Sequence, residues 1–131
     1  MSYLMGGLES LEIDSSQEYL AGHQAKAKRK KLEINSRRSR ALEISRLVAD
    51  ELVKEFPVEK IYLFGSLATG GFGLYSDIDL SVQGLNEKIH YKALAFAQKL
   101  AAPFPVDLVR IEEAGPSLRK KIQSEGVILF G

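Results

Sequence analysis

Gly65-Ser66 closes one apolar run, "EKIYLFGS", and Asp77-Ile78-Asp79 opens another, "DIDLSV". On a strand, Asp77 and Asp79 project from one face while Ile78 turns the other way into apolar surroundings. Carboxylates in such a run are costly unless something cationic sits between them. Asp107 stands alone in a later run, "FPVDLVRI". If these last two runs are neighbouring strands, three carboxylates converge. Their repulsion raises at least one pKa strongly unless divalent cations neutralise them. An all-oxygen set without cysteine or clustered histidine favours Mg2+ or Mn2+. The Gly-Ser pair supplies a complement. Ser66 begins a helical turn whose free backbone N–H groups suit a phosphate, and Gly65 lets that phosphate approach the backbone. A phosphate cradle beside a two-metal carboxylate cluster is equipment for phosphoryl or nucleotidyl transfer. Plainer roles exist for single residues. Asp107 alone reads equally as a solvated edge residue, Ser66 as an N-cap, and Ser76 first as a turn residue and second as a substrate contact. His23 and His90 have no ligand partners at metal spacing and read as surface residues.

The elements that must position these groups alternate from residue 58 onward. "EKIYLFG", "DIDLSV", "FPVDLVRI" and "VILF" read as strands. Between them, "SLATGG" reads as a short helical turn. Asn86 caps a helix whose buried face is Ile89, Ala93, Phe96, Ala97 and Leu100. Pro116 opens a helix carrying Leu118 and Ile122, closed by Gly126. The fold class is therefore α/β: a small mixed β-sheet with helices against one face. Upstream, Ala41, Ile44, Val48, Leu52 and Phe56 form an apolar stripe at helical spacing that should pack on the core. Phe56 precedes Pro57 and leaves the helical region. Ser15 with Glu18 fits a capping box for a helix start. One helix from 16 to 55 would be about 60 Å long, roughly twice the width of a domain with a radius of gyration near 14 Å. The best break is Asn35-Ser36, with Ser36 as a new N-cap. The stretch from Gln17 to Ile34 lacks an apolar stripe. It is expected to be unstable alone, an extension awaiting a partner or disordered. The division is a basic helical extension, 1–35, and a domain, 36–131.

With 131 residues, 45% apolar and 27% charged, the chain suits one globular domain. It has no cysteine, which excludes disulfides and thiolate metal sites and suits a reducing compartment. The longest apolar run, Leu100 to Val106, is too short for a bilayer, and the first ten residues lack the pattern of a signal peptide. A cytoplasmic protein without membrane contact is expected. The net charge of +1 hides a segregation: residues 26–40, "KAKRKKLEINSRRSR", carry eight basic residues and one acid. The default reading is a solvated helix face, with docking on an acidic partner protein second. RNA or DNA contact comes third and is not expected, because no aromatic residue interleaves with the charges to stack on bases. Lys120 and Lys121 complement the dipole of their helix.

Gly65-Ser66, ten residues, then Asp77-Ile78-Asp79 resembles the signature of the nucleotidyltransferase superfamily of the DNA polymerase beta type, and Asp107 matches that family's third metal-binding aspartate. The chain resembles the minimal nucleotidyltransferases (MNT) over roughly residues 41–131, including the antitoxins paired with HEPN toxins. Thr69 departs from the pattern, since many relatives carry a basic residue there; Lys88, Arg119 or Lys120 could supply that phosphate contact. The resemblance implies ATP bound at Gly65, Ser66 and Ser76 with Mg2+ at Asp77, Asp79 and Asp107. It implies that Asp107 accepts the attacking hydroxyl's proton and that AMP passes to a tyrosine of a HEPN toxin. Two alternatives stand beside this. One is an antitoxin that acts mainly by binding. The other is a nucleotidyltransferase for a small molecule such as an antibiotic. A partner chain or second copy, as a homo- or hetero-oligomer, would form the other wall of the cleft.

Overall fold

The computed structural model describes the backbone from residue 2 to 131 and side chains from residue 18 onward. The chain divides into two compact units, Met1–Asn35 and Ser36–Gly131. Helix α1 runs from Ser2 to Glu55, so it begins before Ser15 and passes Asn35-Ser36 without a break. The Ser15 cap lies outside the described side chains. No proline interrupts residues 23–55, and the Lys, Arg, Glu, Ala and Leu that dominate this stretch are strong helix formers. Against them, Asn35 and Ser36 each cost only about half a kcal/mol. The helix stops at Phe56-Pro57, as expected from the residue preceding proline.

In the second unit, β1 (Lys60–Phe64), β2 (Ile78–Gln83), β3 (Val106–Arg110) and β4 (Val127–Phe130) form one sheet in the order β3-β2-β1-β4. β2 and β4 both run antiparallel to β1, while β2 and β3 are parallel. The sheet is therefore mixed. The remaining helices are α2 (Ser66–Thr69), α3 (His90–Ala101) and α4 (Pro116–Glu125). Asn86 caps a short 3-10 turn, Glu87–Ile89, that leads into α3.

Alternation along the strands sorts the core. Ile61, Leu63, Ile78, Leu80, Val82, Val106 and Leu108 face Ala41, Val48 and Leu52 of α1 and Ala93, Ala97 and Ala101 of α3. The apolar stripe of α1 thus packs as its spacing dictates, with Ile44 and Phe56 partly buried at its flanks. The expectation of helices on one face needs correction. Tyr62 and Phe64 point to the opposite face, where they cluster with Ile111, in the turn after β3, and with Ile122 of α4. The helix that carries Ile122 presents a single fully buried residue, so it covers only part of that face. The remainder holds the polar residues described next. Among the described residues, no helix is long and apolar enough to cross a membrane.

Candidate active site

Gly65 follows β1 and caps α2 with φ +74°, ψ −156°, a conformation that side chains beyond glycine resist. A Cβ here would also overlap Asp79 Oδ2. Glycine is therefore required twice over, by the turn and by the carboxylate seated against it. α2 follows at once. The amides of Ala68 and Thr69 and the hydroxyl of Thr69 all donate to the Gly65 carbonyl, each at 3.1 Å. Gly70, at φ +97°, closes the turn by donating to the Ser66 carbonyl at 2.9 Å. The amides that open a helical turn have no partner within it, and here they belong to Ser66 and Leu67, beside Asp79. Thr69, in place of the expected basic residue, locks this turn.

The loop to β2 is held from outside. Arg37 on α1 donates from Nε to the Gly73 carbonyl (3.3 Å) and from a terminal nitrogen to the Ser76 carbonyl (3.1 Å). Its guanidinium lies over the rings of Phe72 and Phe104. Ser76 Oγ accepts from the Gly73 amide at 2.9 Å, so its hydroxyl serves the turn. Tyr75 at the tip of this turn is 93% exposed. Charge alone does not separate Arg37 from the rest of the basic block. One signal marks it: it stands four residues before Ala41, so the buried stripe of α1 extends one turn back to it.

Asp77 lies one residue before β2 rather than within it. Asp79 and Asp107 are register partners across the parallel β2–β3 pair, so both project from the face that also carries Tyr62 and Phe64. Asp77 and Asp107 are exposed and Asp79 is half-buried. The carboxyl of Asp79 is pushed above its ordinary range, first by burial, then by the charges of Asp107 and Asp77. The three aspartates are thus electrostatic neighbours. Among the described residues, no three His, Cys, Asp or Glu side chains converge closely enough to enclose a metal ion. Uncompensated carboxylates repel, which opposes such convergence. Their chemistry, oxygen donors with surplus negative charge, fits a hard divalent cation. Two residues beyond Asp79 on the same face, Ser81 Oγ is fully buried with no hydrogen-bond partner.

Other candidates are committed elsewhere. Arg119 donates to the Ile111 and Glu112 carbonyls, both at 3.2 Å, and ties α4 to the turn after β3. Lys88 and Lys120 are exposed. His90 is not a plain surface residue: it is half-buried, and its Nε2 donates to the Leu108 carbonyl at 2.7 Å, joining α3 to β3. His23 is exposed and stacks on Tyr19.

Residues 47–131 match the family described as polymerase beta, nucleotidyltransferase. Among solved structures, a chain of a toxin–antitoxin complex with AMP-PNP is 29% identical, with 66% of this chain and 73% of that chain covered and a TM-score of 0.56. A mutant of the MntA–HpeT toxin–antitoxin complex gives 30% identity, 66% and 72% coverage and a TM-score of 0.54. A complex of tri-AMPylated Shewanella oneidensis HEPN toxin with MNT antitoxin gives 29% identity, 68% and 71% coverage and a TM-score of 0.50. No curated protein matches at a significant level.

Proposed function

The chain belongs to the polymerase beta nucleotidyltransferase family, and we propose that it transfers AMP from ATP to a hydroxyl, on a tyrosine of a partner HEPN-type toxin, as that toxin's cytoplasmic antitoxin. One observation carries the reading: Asp79 and Asp107 face each other in register, with Asp77 charging the same spot and the Gly65 turn pressed against Asp79. The toxin–antitoxin complexes among similar structures, one with AMP-PNP and one with an AMPylated toxin, support the choice of substrate and partner.

Asp77, Asp79 and Asp107 would hold Mg2+, which when bound neutralises phosphate charge and sharpens the attacking hydroxyl. The amides beside Gly65 would receive the terminal phosphates of ATP, with Ser76 shaping the neighbouring turn. The acceptor oxygen forms a bond to the α-phosphorus as the bond to the departing pyrophosphate breaks. Asp107, the exposed member of the register pair, would take the hydroxyl proton. Arg37 keeps the loop before Asp77 in place throughout.

Incubation with α-labelled ATP, Mg2+ and the toxin encoded beside this gene should label the toxin, and Asp77→Asn should stop it. Nucleotide binding with no label on any acceptor would count against transfer. A second reading, neutralisation by binding, is favoured by the exposure of every residue from 18 to 33. If deletion of 1–35 releases toxin activity and Asp79→Asn does not, binding is the function.

A further inference from the structure

The nucleotidyl-transfer reading leaves the first unit unused. Every described side chain from Glu18 to Glu33 is exposed. Lys26, Lys28, Arg29, Lys30 and Lys31 place five cations within six residues, and among the described residues none of them is in an ion pair. Their arrangement around the helix separates the candidate partners. At about 100° per residue, Lys30 lies about 40° to one side of Lys26 and Arg29 about 60° to the other, while Lys31 and Lys28 lie about 140° and 200° round. The cations therefore occupy two opposing flanks. An acidic protein surface touches one flank of a helix and leaves the other in water. The major groove of B-DNA, about 12 Å wide, encloses a helix of about 10–12 Å diameter between two phosphate-bearing walls.

We infer that residues 18–33 form a duplex-DNA-binding arm, with Lys26, Arg29 and Lys30 facing one phosphate wall and Lys28 and Lys31 the other. The absence of interleaved aromatic residues weighs against single strands, whose bases need stacking platforms; groove binding needs none. The deep, narrow major groove of A-form RNA does not admit a helix. Like charges four apart, as in Lys26 and Lys30, strain an isolated helix, and phosphates on both sides relieve that strain. Contacts of this kind position the arm without reading sequence.

The test uses the full-length chain and a labelled 24-base-pair duplex, read by fluorescence anisotropy across a salt series without ATP or Mg2+. Five phosphate contacts give a slope of log K against log salt of about −4.5, or a loss of several-hundred-fold from 50 to 200 mM. Lys28→Gln with Lys31→Gln, which keeps helix propensity, should reduce the slope by about two. Circular dichroism should show the variant's helix content unchanged. Three results would each overturn the inference: an unchanged slope in the variant, equal binding of single-stranded DNA or duplex RNA, or equal competition by polyglutamate of matched charge. The last would assign the arm to an acidic protein. Because no nucleotide is present, failure of AMP transfer and failure of DNA binding are read separately.

Discussion

The aspartates at the ends of β2 and β3 and the cations of the arm both concentrate like charge, by opposite routes. Asp77, Asp79 and Asp107 are far apart in sequence. They become electrostatic neighbours because a parallel strand pair sets Asp79 opposite Asp107 and a clamped loop brings the charge of Asp77 to bear on Asp79. The arm's five cations are neighbours in sequence and need only a helix. The difference shows in cost. Packing half-buries Asp79 among its neighbours and raises its pKa, whereas residues 26–31 stay in water. Charge gathered by packing is held in a set geometry for chemistry; charge gathered by sequence can adapt to a partner.

The sharpest way to break this comparison is to neutralise one carboxylate and, separately, remove the arm. Asp79→Asn should lower AMP incorporation by about 10²–10³-fold or more, the scale of losing a preorganised electrostatic group. Deletion of residues 1–35 should leave incorporation into a small tyrosine-containing acceptor peptide within about threefold, since Gly65, Asp77, Asp79 and Asp107 all belong to the unit Ser36–Gly131. Equal losses in the two variants would mean that the arm belongs to the catalytic apparatus.

Gly65→Ala tests whether the geometry is held as tightly as the overlap with Asp79 implies. A side chain at this positive φ costs about 1–3 kcal/mol, and the Cβ displaces the Asp79 carboxylate. Thermal unfolding should shift down by about 4–8 °C per kcal/mol for a unit of this size, and nucleotide transfer should fall with it. Gly22→Ala in the helical arm, where a Cβ meets nothing within 4 Å, should have the opposite sign, a gain of helix stability of about 1 kcal/mol.

Arg37 offers a smaller and more specific test. Arg37→Ala removes two hydrogen bonds to loop carbonyls and contacts with Phe72 and Phe104, and should cost about 1–3 kcal/mol. Arg37→Lys should not restore activity, since an ammonium lacks the planar fork that spans the Gly73 and Ser76 carbonyls. Full rescue by lysine would reduce Arg37 to a charge.

The sequence made the strands, the stripe of α1 and the spacing from Gly65-Ser66 to Asp77 and Asp79 legible, because each follows from local periodicity or turn chemistry. It did not reveal the Gly65–Asp79 contact, the Arg37 clamp or the orphaned hydroxyl of Ser81, which depend on which strands and helices become neighbours. Asn35-Ser36 was misleading in a different way. Weak helix formers predict a break only when the flanking segments do not favour continuation, and here both do. α4 shows the limit of pattern reading most plainly, since one buried residue, Ile122, places it on the face opposite α1 and α3.

The smallest predicted effect tests the source of the difference between the two charge clusters. The folded-state pKa of Asp79 is raised above its ordinary value of 3.8. The stabilising contribution of its protonated form is complete below that value and is lost as pH rises through the folded pKa. Asp79→Asn should therefore be more thermally stable than the native chain at pH 7 and show no such gain at pH 3. Asp79 is only half-buried, so solvent screening holds the gain to about a few tenths of a kcal/mol. Mg2+ should narrow the pH 7 gap by neutralising the same carboxylates. Replacing the arm's lysines with glutamine should leave this pH dependence unaltered, because the raised pKa of Asp79 comes from its burial and from Asp107 and Asp77. A pH 7 gain that persists undiminished at pH 3 would trace the effect to packing of the amide and remove burial and crowding of the carboxylate charge as its cause.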